Sequence, residues 1–165
     1  MEIFKSLKRV DAYEQNTLDN IEKYGCHILQ VMEEGNEPPF SYSIGLATTY
    51  QKPDLCVIGL KESMAKFVIN EYALLLKNGE NFEIKKWYSG FLGGFDVCFE
   101  NVDKKYFRKY FGWGIWYYKG VEFQMLQLIY PTTSGIYPWA EQAPQDFLEW
   151  QPILTKDGKA SFPEK

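Results

Sequence analysis

The chain has 165 residues, of which 45% are hydrophobic and 24% charged, and its formal net charge is -4. These values predict one globular domain, and the acidic balance argues against nucleic acid as a partner, because nucleic-acid binders neutralise phosphates with basic side chains. No apolar run is long enough to cross a membrane, and the N-terminus lacks the apolar segment of a signal peptide. We therefore expect a cytoplasmic protein with no membrane partner.

Residues 11–24 are predicted to form a helix, with Asp11 and Glu14 as a capping box and Gly25 as its end. A strand is predicted over 26–32, and a polar turn over 33–39 leads to a second strand over 40–46. These two strands are expected to pair as a hairpin.

The stretch 38–60 organises this half of the chain. Its first strand alternates large apolar residues with Ser41, Ser43 and Gly45, so that one face of the strand is small enough for a backbone, a ring or a ligand to approach closely. The unbroken apolar run at 55–60 is typical of a strand covered on both faces. We interpret the pair as the centre of a core sheet, and the small face as a candidate pocket.

Apolar residues from Met64 to Leu76 recur at three- and four-residue steps and predict a second helix, which Gly79 ends. A strand over 95–99, a short helix over 103–111 and a long strand over 121–130 follow, whereas 82–92 fits no element clearly. The sequence thus predicts an α+β fold over residues 1–145, with a mainly antiparallel sheet, two main helices and a short third. Residues 146–165 are predicted to be an irregular tail that is partly docked on the domain through the following side chains: Phe147, Trp150, Ile153 and Leu154.

Few residues in the chain offer chemistry. His27 is the only histidine, and the three cysteines are widely spaced, which predicts buried reduced thiols and no metal site. Cys26 and His27 are neighbours in a predicted strand, so their side chains point to opposite faces and do not form a nucleophile–base pair. The glycines at 90, 93 and 94 do not match a phosphate-binding loop. No catalytic residue and no cofactor is predicted, and the question of enzymatic activity is left open with a preference for none.

Several spaced motifs resemble a family of bacterial proteins that is described as a domain of unknown function, number 4262. They are GCHI at 25–28, FSYSIGL at 40–46, KPDL at 52–55, IGL at 58–60, YFG at 110–112, WYY at 116–118, LQL at 126–128, YP at 130–131 and GIYPW at 135–139. The resemblance covers about residues 18–145. Cys26 stands where the family often has an aromatic residue, and Thr132 where it has an acidic one. The resemblance implies a small cytosolic bacterial protein, and some such domains lie near toxin and defence genes.

Three functional hypotheses follow. The first is a non-enzymatic protein-binding domain, a neutraliser of the immunity or antitoxin type. Its acidic, aromatic-rich surface would bind a protein partner such as a toxin. A homodimer is a further expectation. Aromatic residues make up 18% of the chain, and Tyr and Trp suit binding interfaces. The second is a small-molecule or cofactor pocket, with or without enzymatic activity, between the small face of the 40–46 strand and four side chains from later in the chain: Tyr117, Tyr118, Gln127 and Trp139. A third reading is an interaction module whose site lies on the tail. The candidate binding residues are His27, Tyr42, Ser43, Tyr117, Tyr118, Gln127 and Trp139.

Overall fold

The computed structural model describes the backbone of residues 2–160 and the side chains of residues 12–160. Its helices are α1 (Glu2–Tyr24), α2 (Leu46–Tyr50), α3 (Glu62–Lys77), α4 (Phe107–Tyr110), α5 (Gly112–Tyr118) and α6 (Gln145–Trp150). Its strands are β1 (His27–Val31), β2 (Phe40–Ile44), β3 (Asp54–Ile58), β4 (Tyr88–Leu92), β5 (Phe95–Asn101) and β6 (Met125–Ile129). A 3-10 turn over Lys104–Tyr106 precedes α4.

The six strands form one sheet in the order β1-β2-β3-β6-β5-β4. Every pairing is antiparallel except that of β3 with β6, which is parallel. That pair is parallel because the chain leaves β3 through α3 and the β4–β5 hairpin before it returns to the middle of the sheet. The predicted α+β fold with a mainly antiparallel sheet is confirmed, as is the predicted hairpin of β1 and β2.

Both faces of the sheet are covered. Helix α3 packs on one face, where Leu55 and Val57 of β3 join its buried residues. Helices α1, α4 and α5 cover the other face, where Cys56 and Ile58 contribute. The alternation of β3 between two cores explains its unbroken apolar run, since every side chain of that strand is buried.

The small face of β2 lies on the α3 side. Ser41 pairs with Val57 in the β2–β3 ladder, and residues that are opposite each other in a ladder share a face. Helix α3 contacts β2 directly. The close approach predicted for this face is therefore made by a helix of the same chain.

Four local predictions are corrected. Helix α1 begins at Glu2, so position 11 lies inside the helix and is not its cap. The loop after β2 holds α2, and the unassigned stretch 82–92 holds β4. The segment before β6 is not strand, and in it the Phe123 ring packs against Gly114 of α5, where an added Cβ would meet that ring at 2.9 Å.

The segment after residue 145 is more regular than predicted and is docked by buried polar groups. It opens with α6, and the Trp150 indole Nε1 donates to the carbonyl of Gly59 at 2.9 Å. The fully buried side chain of Gln151 donates to the carbonyl of Tyr130 and accepts from its amide, as a neighbouring strand would. Gln127 of β6 in turn donates to the Pro152 carbonyl and accepts from the amide two residues later.

Candidate functional site: a cavity beside the only histidine

A cavity of about 610 Å³ lies at the outer edge of the sheet, next to His27. Four elements line it: the C-terminal end of α1, the start of β1, the end of α2 and one side of α3. Strand β1 is the outermost strand of the sheet and has a partner on one side only. The cavity therefore forms where the sheet ends and the helices on its two faces leave a gap.

Helix α3 provides the cationic wall of the cavity. Lys66, Asn70 and Lys77 recur at steps of four and seven residues, which places them on one stripe of the helix. All three are exposed and line the cavity, whereas the stripe beside them, with Val68 and Tyr72, packs into the core. The same helix thus anchors the sheet with one face and presents positive charge with another.

Helix α1 and strand β1 provide the opposite wall. The Asn20 amide Nδ2 lies 3.1 Å from Nδ1 of His27. Because an amide nitrogen only donates, Nδ1 is the acceptor and the ring carries its proton on Nε2. Burial lowers the pKa of His27, which favours the neutral ring. With the Asn20 amide in this orientation, the contact and burial together favour the neutral His27 ring with its proton on Nε2.

The base of the cavity carries no reactive thiol. Cys26 lines it, but burial and the nearby Asp54 carboxyl raise the pKa of the thiol to about 12, so that it stays protonated. Tyr50, at the end of α2, lines the same region. Thr49 fixes this end of α2 by donating to the Gly25 carbonyl at 2.8 Å. What this site offers chemically is cations, hydrogen-bond donors and an imidazole.

A second polar cluster, which we call the Asp54 network, lies inside the domain. One oxygen of the Asp54 carboxyl accepts from the Ser43 hydroxyl at 2.8 Å and from the Leu46 amide at 3.1 Å. The other oxygen accepts from the Tyr118 hydroxyl at 2.5 Å, and that hydroxyl accepts from the Gly45 amide. The network joins β2, β3, α2 and α5 through one side chain.

The carboxyl and the serine at the centre of the Asp54 network are sealed from solvent, whereas Tyr118 is half-buried. Asp54 and Ser43 both have 0% of their surface exposed. Burial raises the pKa of Asp54 to about 7, against the opposing effect of its hydrogen bonds to Tyr118, Ser43 and two backbone amides. A substrate cannot reach a serine and a carboxyl that have no exposed surface, so this network holds the fold together.

The family comparison assigns residues 20–144 to the model described as Domain of unknown function (DUF4262). The chain belongs to this family. Neither the curated proteins nor the solved structures that were searched contain a match to the chain. The DUF4262 region includes every residue that lines the His27 cavity and ends before α6. No helix in residues 2–160 is long and apolar enough to cross a membrane.

Within the DUF4262 region, the predicted binding residues fall in six separate places. Ser43 and Tyr118 meet in the Asp54 network, and His27 lines the cavity. The buried ring of Tyr42 packs against Phe111, and its hydroxyl accepts from the Trp113 amide at 3.2 Å.

The remaining candidates lie elsewhere. The Tyr117 hydroxyl donates to Thr48 Oγ1 at 3.1 Å on the surface. Gln127 docks the segment after α6, and Trp139 stacks on Tyr137. The structure therefore does not bring Tyr117, Tyr118, Gln127 and Trp139 together around the small face of β2, where a pocket was predicted.

Sequence reasoning missed Asp54 and the three polar residues of α3. Asp54 carried a signal, because an acidic residue directly before an unbroken apolar strand is expected to need buried donors. Lys66, Asn70 and Lys77 followed the helical period as clearly as the apolar stripe did, but nothing in the sequence placed them opposite His27.

Proposed function

We propose that this domain binds a small molecule in the His27 cavity. The observation that carries the proposal is the convergence of polar side chains from two helices and a strand around a space of about 610 Å³. Ligand sites combine such a concave space with a few polar groups that fix orientation. The alternative hypothesis of the sequence analysis, a ligand pocket, is thus kept, but at a different place in the fold.

Binding is better supported than catalysis. The acceptor nitrogen of the His27 ring is engaged by Asn20, the Cys26 thiol is protonated, and among the lining residues there is no Asp or Glu that could act as a base. A cytoplasmic location is part of the proposal, and it is supported by the three buried free cysteines.

A native mass spectrum of the protein purified gently from its own host tests the proposal. We expect the wild-type chain to carry the added mass of a small molecule. Asn70→Trp, which places a large ring on the exposed cavity wall, is expected to remove that mass. The control Ser63→Trp puts the same ring on an exposed position of α3 outside the cavity and is expected to keep it. A wild-type chain without added mass, or equal retention by Asn70→Trp, would contradict the proposal.

A protein partner is the second candidate, and one observation favours it. Met64, Phe67 and Leu74 on the outside of α3 are 45%, 55% and 50% exposed, although they are large and apolar. Most other aromatic rings pack in the two cores, so the aromatic content of the chain is explained largely by the interior. The immunity-type hypothesis therefore depends on this strip of α3 and on the acidic net charge.

The same mass spectrum tests the second candidate. A neutraliser would appear with a second polypeptide in a fixed ratio, and a homodimer with twice the chain mass. Phe67→Glu is expected to release that polypeptide, whereas Leu18→Glu, which changes an exposed leucine of α1, is expected to retain it. Retention of the partner by Phe67→Glu would rule out the α3 strip as its binding surface.

A further inference from the structure

We infer that the ligand of the His27 cavity is an elongated organic dianion, with an acidic group at each end and an apolar middle. This inference rests on the proposed function and specifies its ligand class. It is carried by the charge of the cavity wall, the spacing of the two lysines and the side chains that lie between them.

The charge of the cavity is opposite to that of the whole chain. The chain has a formal net charge of -4, yet the residues that line the cavity include Lys66 and Lys77 and no acidic residue. The ion pairs of the described residues are Lys86–Glu83 and Lys109–Glu37, so neither cavity lysine is neutralised by one of them. Two cations that form no ion pair with a described residue, placed at one concave site, attract an anion.

The spacing of the lysines determines the shape of the ligand. Lys66 and Lys77 are eleven positions apart on α3, which at the helical rise separates their backbones by about 16 Å. A compact anion such as phosphate contacts both ammonium groups only if both flexible stems fold toward each other, which costs side-chain entropy. An elongated molecule with two acidic ends meets both without that cost.

The wall between the two lysines fits the middle of such a molecule. Asn70 lies one turn after Lys66, and Ala73 and Leu74 lie one turn before Lys77. Ile28 of β1 faces the same cavity. The path from one cation to the other is thus mainly apolar, with one amide near its start. This composition matches a hydrocarbon or ring spacer better than a chain of hydroxyl groups.

His27 supplies a third contact from the opposite wall. Its Nδ1 is occupied by Asn20, so Nε2 is the donor of the ring. A neutral imidazole donates to carboxylate and phosphate oxygens alike, and lysine also binds both. The shared chemistry is therefore two separated acidic groups, and the experiment has to distinguish carboxylates from phosphates.

Isothermal titration calorimetry on the full chain provides that experiment. The probes are octanedioate, its charge-matched bisphosphate counterpart octane-1,8-diyl bis(methyl phosphate), the monoanion octanoate, the neutral octanediamide and inorganic phosphate. At least one of the two-ended dianions is expected to bind about tenfold or more tightly than octanoate, octanediamide and inorganic phosphate, because charge-assisted hydrogen bonds form at both ends. The tighter of the two identifies the acidic group.

Charge variants locate the binding. Lys66→Gln and Lys77→Gln are each expected to weaken binding of the tighter dianion about tenfold, since each removes one charged contact. Lys156→Gln removes an exposed lysine outside the cavity and is expected to leave the affinity unchanged. Equal effects of all three substitutions would show a general charge effect and overturn the inference.

The remaining outcomes separate this inference from the proposed function. If octanediamide or inorganic phosphate binds as tightly as the dianions, the inference of a two-ended dianionic ligand is overturned, but the cavity remains a ligand site. Failure of every probe, together with a neutral or singly charged molecule in the native mass spectrum, would also overturn the inference alone. Failure of every probe together with a bare chain would overturn both.

Discussion

The Asp54 network and the His27 cavity are both clusters of polar side chains, but the first is buried and the second is open to solvent. In the network, one carboxyl receives hydrogen bonds from Ser43, Tyr118 and the Leu46 amide, and no solvent reaches it. In the cavity, Lys66 and Lys77 are exposed and form no ion pair with a described residue. Polar groups that hydrogen-bond to each other inside the domain stabilise the fold, whereas polar groups that line an open cavity are available to a ligand.

The two regions meet at α2. The Asp54 network fixes the first residues of this short helix through the Leu46 and Gly45 amides, and Tyr50 at its other end lines the cavity. The sealed network therefore supports one wall of the open site. Substitutions in the network should reduce stability first, and substitutions in the cavity should reduce binding alone.

The largest expected effect is on the fold. Asp54→Ala leaves the buried donors of Ser43, Tyr118 and Leu46 without an acceptor, and should lower the free energy of unfolding by about 3 kcal/mol. Chemical denaturation measures this change. The control Asp96→Ala changes an exposed aspartate in β5 and should stay within about 0.5 kcal/mol of wild type. Equal stability of the two variants would show that the network is not a structural centre.

The pH dependence of stability sharpens the same comparison. Burial raises the pKa of Asp54 from 3.8 to about 7, so between those values the folded chain holds a proton that the unfolded chain has released. The free energy of unfolding should therefore fall as pH rises through this window and level off above it. Denaturation curves of wild type and Asp54→Asn should show the slope in wild type alone.

His27 provides the control for that pH experiment. Burial lowers the pKa of His27 in the folded chain, so this residue lowers the free energy of unfolding as pH falls through the ordinary histidine range. The effect is opposite in sign to that of Asp54. His27→Gln should keep the slope that belongs to Asp54. Loss of the slope in His27→Gln would show that the slope does not come from Asp54.

A pair of neighbouring tyrosines gives a smaller effect. The Tyr118 hydroxyl links Asp54 to the Gly45 amide, whereas the Tyr117 hydroxyl bonds Thr48 at the surface. Tyr118→Phe should lower the free energy of unfolding by about 1–2 kcal/mol and Tyr117→Phe by about 0.5 kcal/mol or less. Equal losses on chemical denaturation would mean that burial does not distinguish these two hydroxyls.

The smallest expected effect on stability is at the cavity. Lys66→Gln removes an exposed charge, so the free energy of unfolding should stay within about 0.5 kcal/mol of wild type. A loss of several kcal/mol would show that Lys66 supports the fold rather than a ligand.

Local patterns predicted the elements that depend on local chemistry. The apolar stripe of α3 and the alternation of β2 were enough to place both, since each has one period over its length. Helix α5 was not identified, because its glycines and clustered aromatic residues fit neither period, and it is held by the contact of Gly114 with Phe123. The predicted strand over 121–130 was too long for the same reason.

The candidate site was less accessible to sequence reasoning. Ser43 and Tyr118 were predicted to line a common pocket, but the carboxyl that joins them belongs to a third segment, and only the folded chain brings the three together. His27 was identified because it is the only histidine. The lysines opposite it lie on a polar helix stripe, which a sequence cannot distinguish from an ordinary solvated surface.

The central claim is that the open group of polar side chains, and not the sealed one, binds a ligand with an anionic group at each end. Nuclear magnetic resonance tests it most directly, because His27 is the only histidine and its imidazole gives a single set of ring signals. Addition of octanedioate or its bisphosphate counterpart should shift these signals and raise the pKa of His27, since a nearby anion stabilises the protonated ring. Unchanged ring signals and an unchanged pKa at saturating concentrations of both probes would contradict the account.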